Sequence, residues 1–233
     1  QNKSHFAYLP RDQDIINFFK KNKFQSSIVP VKKNTRRFIR KNIQNIYLKS
    51  NSNIENLSFA YSLRKNFGIS DKSFFSALEK FKGLPHRQEM FFRKKNICFI
   101  NDSKATSFEA AKDCLMNYKN IIWIVGGLKK EGDKFYLNHI KKNIKKAFII
   151  GKDRVFFKKQ LNKKINFIET KTLERSVKNI FEEIQKMNLR KKNKDKTFVI
   201  LSPASASYDQ FRNFEDRGNK FKKLVKNYAK KYF

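Results

Sequence analysis

Beyond Gly83 the sequence alternates with a regularity that leaves few folds open. Short apolar runs at 89–92, 97–100, 121–125, 147–150, 165–168 and 198–201 are separated by stretches of helical spacing at 108–116, 136–145, 154–161, 173–187 and 211–228. Runs of four or five mostly apolar residues read as strands buried on both faces, since a half-exposed strand would alternate with polar positions. Strand and helix in succession require a crossover for each return, so the sheet is mostly parallel and covered by helices on both sides. The expected fold class is α/β, with a Rossmann-like, doubly wound domain over 83–233.

Residues 1–82 read differently. FAYL, SSIVPV and NIYLK are short apolar runs expected as strands, with a helix near 14–20 between the first two. From Asn53, the positions Ile54, Leu57, Phe59, Ala60 and Leu63 follow helical spacing up to Gly68. A second helix is expected over 73–81, with Asp71 as its N-cap and Phe74, Phe75, Leu78 and Phe81 as its apolar stripe. Lys82-Gly83-Leu84-Pro85 then interrupts the helical pattern, which places a domain boundary near Gly83.

In an open parallel sheet, ligands bind beyond the carboxyl ends of the strands, so the turn after each strand is where chemistry is sought. Three turns are unusual. After ICFI comes Asn101-Asp102-Ser103-Lys104-Ala105-Thr106, feeding a helix for which Thr106 or Ser107 could serve as cap. After IIWIV comes Gly126-Gly127-Leu128-Lys129-Lys130, whose glycines allow close backbone approach and whose Lys130 offers a point charge. After FVIL comes Ser202-Pro203-Ala204-Ser205-Ala206-Ser207, small residues and hydroxyls ahead of the last helix. Ammonium, hydroxyl and helix N-terminal donors on one edge suit a small carboxylate-bearing ligand. Taken singly, each turn is equally well an ordinary capped βα turn. His5 and His139 read as surface or packing residues, and His86 lies at the junction beside Arg87. No nucleophile, base and orienter set can be assembled from the three histidines.

The charge is the other outstanding feature. Lys and Arg number 54 against 20 Asp and Glu, a formal net charge of +34. Such a balance draws a protein towards nucleic acid or anionic lipid. The lysines are spread rather than focused, however, and runs such as KKNKDK at 191–196 fall between apolar segments with no aromatic RNA-binding motif beside them. Lys, Asn, Ile and Phe all have A/T-rich codons, so base composition accounts for much of the bias. No physiological nucleic-acid partner is expected, nor a membrane partner, since no apolar run is long enough to span a bilayer. Cys98 and Cys114 stand in apolar settings without metal-ligand spacing and read as buried thiols, and no metal-binding residue is assigned.

Three strings carry a resemblance: GLPHRQE at 83–89, INDSKAT at 100–106 and LSPASASYDQFRNFEDRGNKF at 201–221. They are similar to the Mur ligases, and within that family to the D-glutamate-adding branch. The DYAHTP and DNPR strings of the diaminopimelate-adding branch are absent. A weaker match, NIENLSFAYSL at 53–63 in register with a family helix, departs just before it at Ser50 and Ser52, where the family has Gly and His.

The resemblance implies that 1–82 is the end of a central ATPase-type α/β domain and 83–233 the C-terminal domain of a cytoplasmic enzyme. It further implies an ADP-forming amide ligase of peptidoglycan precursor synthesis. ATP would phosphorylate the carboxylate of UDP-N-acetylmuramoyl-L-alanine, and D-glutamate would attack the acyl phosphate. By position, Thr106, Lys130, Ser207 and Phe214 would hold D-glutamate, with Lys130 the catalytic cation and Phe214 acting through its backbone. Asn56, Arg87 and Asp102 would contact ATP, and Lys104 would support them.

No GxxxxGK[ST] string occurs, so the phosphate-cradling loop and the Mg2+ ligands are expected outside this sequence, which opens on Gln1 and reads as a fragment inactive alone. A monomer is expected. The rival readings are a non-catalytic module that binds D-glutamate or nucleotide, and a basic nucleic-acid binder on a borrowed fold.

Overall fold

The computed structural model describes residues 5–45, 48–189 and 195–233. The chain divides into two compact units, Gln1–Lys82 and Gly83–Phe233.

In the first unit, β1 (Phe6–Leu9) and β2 (Ser27–Pro30) pair in parallel, joined through α1 (Gln13–Lys21). Asp12 caps α1 by accepting from the Asp14 and Ile15 N–H groups. α2 (Lys33–Asn42), α3 (Asn51–Leu63) and α4 (Asp71–Lys80) follow, and Ile39, Ile43, Leu48, Ile54 and Leu57 form a small core between them. α2 was not expected: KKNTRRFIRKN has a single buried residue, Ile39, and shows almost no apolar periodicity. Of NIYLK, Ile46 and Tyr47 lie outside the described residues, and Leu48 is buried in a turn rather than in a strand. α4 is capped by Ser70, which accepts from the Ser73 N–H at 3.1 Å, and not by Asp71. Asp71 instead pairs with Arg64 and accepts from the Tyr61 hydroxyl. After a 3-10 turn at Arg64–Phe67 the chain reverses at Gly68, in the left-handed region at φ 64°.

The second unit is a six-stranded sheet in the order β3-β4-β8-β5-β6-β7. Its strands are β3 (Glu89–Lys94), β4 (Ile97–Asn101), β5 (Ile121–Gly126), β6 (Ile144–Ile150), β7 (Phe167–Lys171) and β8 (Thr197–Leu201). β3 runs antiparallel at one edge and the other neighbours are parallel. Successive side chains leave opposite faces, which makes two cores. Ile121, Trp123 and Val125 point to the side of α5 (Phe108–Asn117) and α6 (Arg154–Leu161). Ile122 and Ile124 point to the side of α7 (Leu173–Leu189) and α8 (Phe214–Tyr232). The sheet is therefore mostly parallel and covered on both faces.

Three boundaries differ from expectation. No α-helix forms over 136–145: the chain runs as turns, a 3-10 turn at Lys141–Asn143, and then β6 from Ile144. Leu137, Ile140 and Ile144 have helical spacing, yet they are buried beside Phe135 without a helix, the first two from turns and Ile144 from the start of β6. β7 begins at Phe167, two residues later than the apolar run. α8 begins at Phe214 because the Asn213 side chain accepts from the Asp216 N–H at 2.7 Å and sets the cap there. Residues 191–194 of the KKNKDK run lie outside the described residues.

Candidate functional site

β8 lies between β4 and β5, so the turns that follow these three strands are neighbours at one edge, and the chain ties them together. The Asp102 N–H donates to Leu201 O at 2.8 Å, and the Ser202 hydroxyl to Asp102 Oδ2 at 2.7 Å, joining the β4 and β8 turns. Trp123 Nε1 donates to Ser202 O at 2.7 Å, and the Gly126 N–H to Pro203 O at 2.9 Å. Leu128 and Ala206 exchange both backbone bonds at 3.1 Å. Asp133, beyond the β5 turn, accepts from the Phe108 N–H at 2.7 Å at the start of α5.

Close approach explains the paired glycines. Gly126 has φ 119°, and a Cβ there would overlap Ile150 O. Gly127 has φ 147°, and a Cβ there would lie 2.5 Å from Ser205 Oγ. Any side chain at either position would push the β5 turn off the β6 or β8 turn.

Of the residues that the resemblance assigns to D-glutamate, Thr106 and Lys130 are exposed on the β4 and β5 turns. Ser207 is 2 % exposed on the β8 turn, and its carbonyl accepts from the Gln210 and Phe211 N–H groups. Phe214 opens α8, where the N–H groups of the first turn have no intrahelical partner and favour an anion. Its carbonyl accepts from the Ser103 hydroxyl at 2.8 Å. Thr106 is not a helix cap: Ser107 fills that role for α5. Lys104 places its ammonium 3.9 Å from the centre of the Phe214 ring, a cation–π contact beside the same helix start.

The residues assigned to ATP are disposed differently. Asn56 lies on α3 of the first unit. Arg87 is exposed, in a turn where His86 and Gln88 both take left-handed backbone, at φ 63° and 46°. That strained turn is held by the His86 N–H on Glu89 Oε2 at 3.0 Å and the Gln88 N–H on Asp102 Oδ1 at 3.1 Å. Asp102 is thus 5 % exposed, with both carboxylate oxygens engaged in hydrogen bonds within the protein. Burial pushes its carboxyl up to about 7, against the Ser202, Gln88 and Cys114 hydrogen bonds and the charge of Arg87, which all favour the ionised form.

His86 is buried, its Nδ1 lying 2.9 Å from Asn101 Nδ2. Burial, then Lys222, lowers its pKa and keeps the ring neutral. Burial works to raise Glu89, but the His86 N–H and Lys222 outweigh it and hold the carboxyl below its usual value. Among the described residues there is no cluster of His, Cys, Asp or Glu able to hold a metal ion. No helix of the described residues is long and apolar enough to cross a membrane.

Sequence reasoning missed Ser103, Asp133 and Arg217. Arg217 is 1 % exposed and bonded to Ser103, Ser205 and Ala206. Its place inside the FEDRGNKF string was the one available signal.

Fold and site together define a class: a doubly wound, mostly parallel α/β domain whose β4, β5 and β8 turns are tied together at the carboxyl edge of the sheet, where such domains bind ligands. Sequence comparison narrows this. The chain is 38 % identical over 170 residues to UDP-N-acetylmuramoylalanine--D-glutamate ligase of Wolbachia sp. subsp. Brugia malayi (strain TRS), covering 73 % of this chain and 33 % of that protein. It is 38 % identical over 177 residues to the protein of the same name from Rhodospirillum rubrum, covering 76 % and 36 %. The chain spans about a third of the length of these relatives.

Among solved structures, MurF from Acinetobacter baumannii aligns with a TM-score of 0.60 at 13 % identity, over 95 % of this chain and 51 % of that one. A murein peptide ligase, mpl, from Psychrobacter arcticus 273-4 aligns at 0.52 and 12 % identity, over 97 % and 52 %. These likenesses show the fold. No family model matches the chain. The chain is a homologue of the Mur ligases, with its sequence relatives among those named for D-glutamate.

Proposed function

We propose that this chain is the C-terminal part of an ATP-dependent ligase that joins D-glutamate to UDP-N-acetylmuramoyl-L-alanine in peptidoglycan precursor synthesis. Residues 1–82 would end its ATP-binding domain, and 83–233 would be the domain that receives the amino acid. The observation that carries this reading is the cross-linking of the β4, β5 and β8 turns, which groups the NDSKAT and SPASAS strings with Lys130 at one edge of the sheet.

Within that reading Lys130 supplies a mobile ammonium to one carboxylate of D-glutamate. Thr106 and Ser207 offer hydroxyls, and the Phe214 N–H offers a helix-terminal donor. With both carboxylates fixed, the amine is oriented towards the activated carboxylate, and positioning of this kind is what the domain contributes to the rate. ATP supplies the phosphoryl group that activates the UDP-linked carboxylate. In the second unit Arg87, with an exposed guanidinium, is suited to its phosphates and Lys104 adds positive charge; in the first unit Asn56 is the residue suited to its base. Asp102 would reach a ribose only by releasing the Gln88 N–H; closed, it fixes the backbone next to Arg87. Mg2+ is given no ligand here, since the described residues offer no carboxylate cluster for it. The complete enzyme would act as a cytoplasmic monomer, with neither membrane nor nucleic acid as partner.

The test is calorimetric titration of the 233-residue chain with D-glutamate, L-glutamate and ATP, and of its Lys130→Ala variant with the same ligands. D-glutamate should bind in preference to L-glutamate and should weaken at least tenfold in the variant, with ATP unaffected. Equal affinity for both enantiomers, or no effect of Lys130→Ala, would contradict the assignment. Binding of D-glutamate by a natural protein that carries no phosphate-cradling loop would favour the non-catalytic module.

A further inference from the structure

Arg217 is among the largest side chains buried completely in this protein, and its surroundings are unusual for a cation. Nε donates to Ser103 Oγ at 3.0 Å, Nη2 to Ser103 O at 2.9 Å and to Ser205 O at 3.1 Å, and Nη1 to Ala206 O at 3.3 Å. All of these acceptors are neutral. The acidic group that acts on Arg217 is Asp209, through space rather than through a hydrogen bond. A guanidinium withdrawn from water is normally retained against a carboxylate, because an unpaired buried charge is costly.

The four bonds join the β4 turn to the β8 turn from a side chain rooted in α8. Ser103 then passes the constraint on, its hydroxyl donating to Phe214 O at 2.8 Å. The next residue, Gly218, lets α8 lie against His86 and Asn101, where a Cβ would overlap His86 Nδ1. One planar fork therefore sets the spacing of three of the segments that carry Thr106, Ser207 and Phe214. Ser205 adds a second sign of a site awaiting charge: its Oγ is buried without a hydrogen-bond partner, under Gly127.

We infer that Arg217 is a positioning residue for the anion site: it holds the β4 turn, the β8 turn and the start of α8 in the geometry that receives the carboxylates, and its unneutralised charge biases that site towards anions. The ligand part of this inference rests on the D-glutamate reading above; the positioning part does not.

The test uses the 233-residue chain and two variants. Arg217→Lys keeps the charge and loses the fork, while Ser103→Ala keeps the guanidinium and removes the Nε acceptor and the link to Phe214. In 15N–1H spectra, Arg217→Lys should shift the Thr106, Ser207 and Phe214 amides together, and its affinity for D-glutamate should fall at least tenfold. Ser103→Ala should lose affinity by a smaller factor, and it carries the test if Arg217→Lys does not fold. Arg217→Lys with native Trp123 fluorescence and unchanged D-glutamate affinity overturns the inference, as does lowered stability with no change in affinity. If the wild-type chain binds no D-glutamate, the ligand reading fails by itself. The amide shifts then decide: perturbations confined to Ser103, Ser205 and Ala206 overturn the positioning role.

Discussion

Gly218→Ala is the substitution for which two well-founded rules give opposite signs. Gly218 is the fifth residue of α8, inside a regular helix, where replacing glycine by alanine ordinarily stabilises by about 1 kcal/mol. Here the added methyl would meet His86 Nδ1 far inside van der Waals contact, with His86 Cε1 and Asn101 Oδ1 each 2.9 Å away. Neither neighbour is a flexible surface group: His86 is 6 % exposed, Asn101 is fully buried, and the two are bonded to each other at 2.9 Å. Overpacking of this kind costs about 1–3 kcal/mol, and displacing His86 forfeits a hydrogen bond worth about 1 kcal/mol. Set against the helix gain, the net loss is about 1–3 kcal/mol, or a melting temperature lower by about 4–8 °C for a central value of about 2 kcal/mol. Trp123 is the sole tryptophan, fully buried in the second unit, so its fluorescence during urea or thermal unfolding reports that unit alone. A rise in stability of about 1 kcal/mol would show that α8 does not approach β4 as closely as described and would refute the reasoning.

Two further outcomes follow from buried groups. The Asp102 carboxyl, pushed up to about 7 from 3.8, keeps a proton in the fold that the unfolded chain has released, so its contribution to stability falls as the pH rises between those values. The loss reaches about 4 kcal/mol at about 1.4 kcal/mol per pH unit, and Asp102→Asn should escape it. The variant's urea midpoint should therefore gain on wild type from about pH 4 to about pH 7, and a gap independent of pH would count against the buried carboxylate. Cys98 and Cys114 are 2 % and 0 % exposed, and burial raises both thiols, so an aqueous thiol reagent should leave them unmodified until denaturant is added. Rapid modification of Cys114 under native conditions would contradict its place on the buried face of α5.

What the sequence conveyed, and what it withheld, follows from the range of the interactions. Strands such as 121–126 were legible because both faces are buried and every position is apolar. α6 and α5 were legible because their apolar stripes and flanking polar residues are local. The segment at 136–145 misled because Leu137, Ile140 and Ile144 satisfy the helical period, and periodicity records which residues are buried, not the backbone that buries them. α2 was hidden for the converse reason, with one buried residue among seven charged or amide side chains. At the site, the NDSKAT and SPASAS turns stood out through small and polar residues directly after strands. The partners that hold them did not: Ser202 reaches Asp102 across 100 residues and Arg217 reaches Ser103 across 114, and no local pattern encodes either pair. The inward turn of Asp102 was likewise invisible, since a carboxylate after a strand reads the same whether it faces solvent or a neighbouring serine.

The position of β8 bears on how the protein is made. Its partners β4 and β5 precede it by about a hundred and about eighty residues, as the registers Ile97↔Thr197 and Trp123↔Ile200 show. During synthesis both must wait, with hydrogen-bonding edges uncovered, until the strand that belongs between them leaves the ribosome. Pairing at such separation is slow, and exposed apolar edges invite association with other chains. The last strand of the sheet is thus its keystone: a chain interrupted after α7 would possess five of six strands and still lack the one that joins β3 and β4 to β5, β6 and β7.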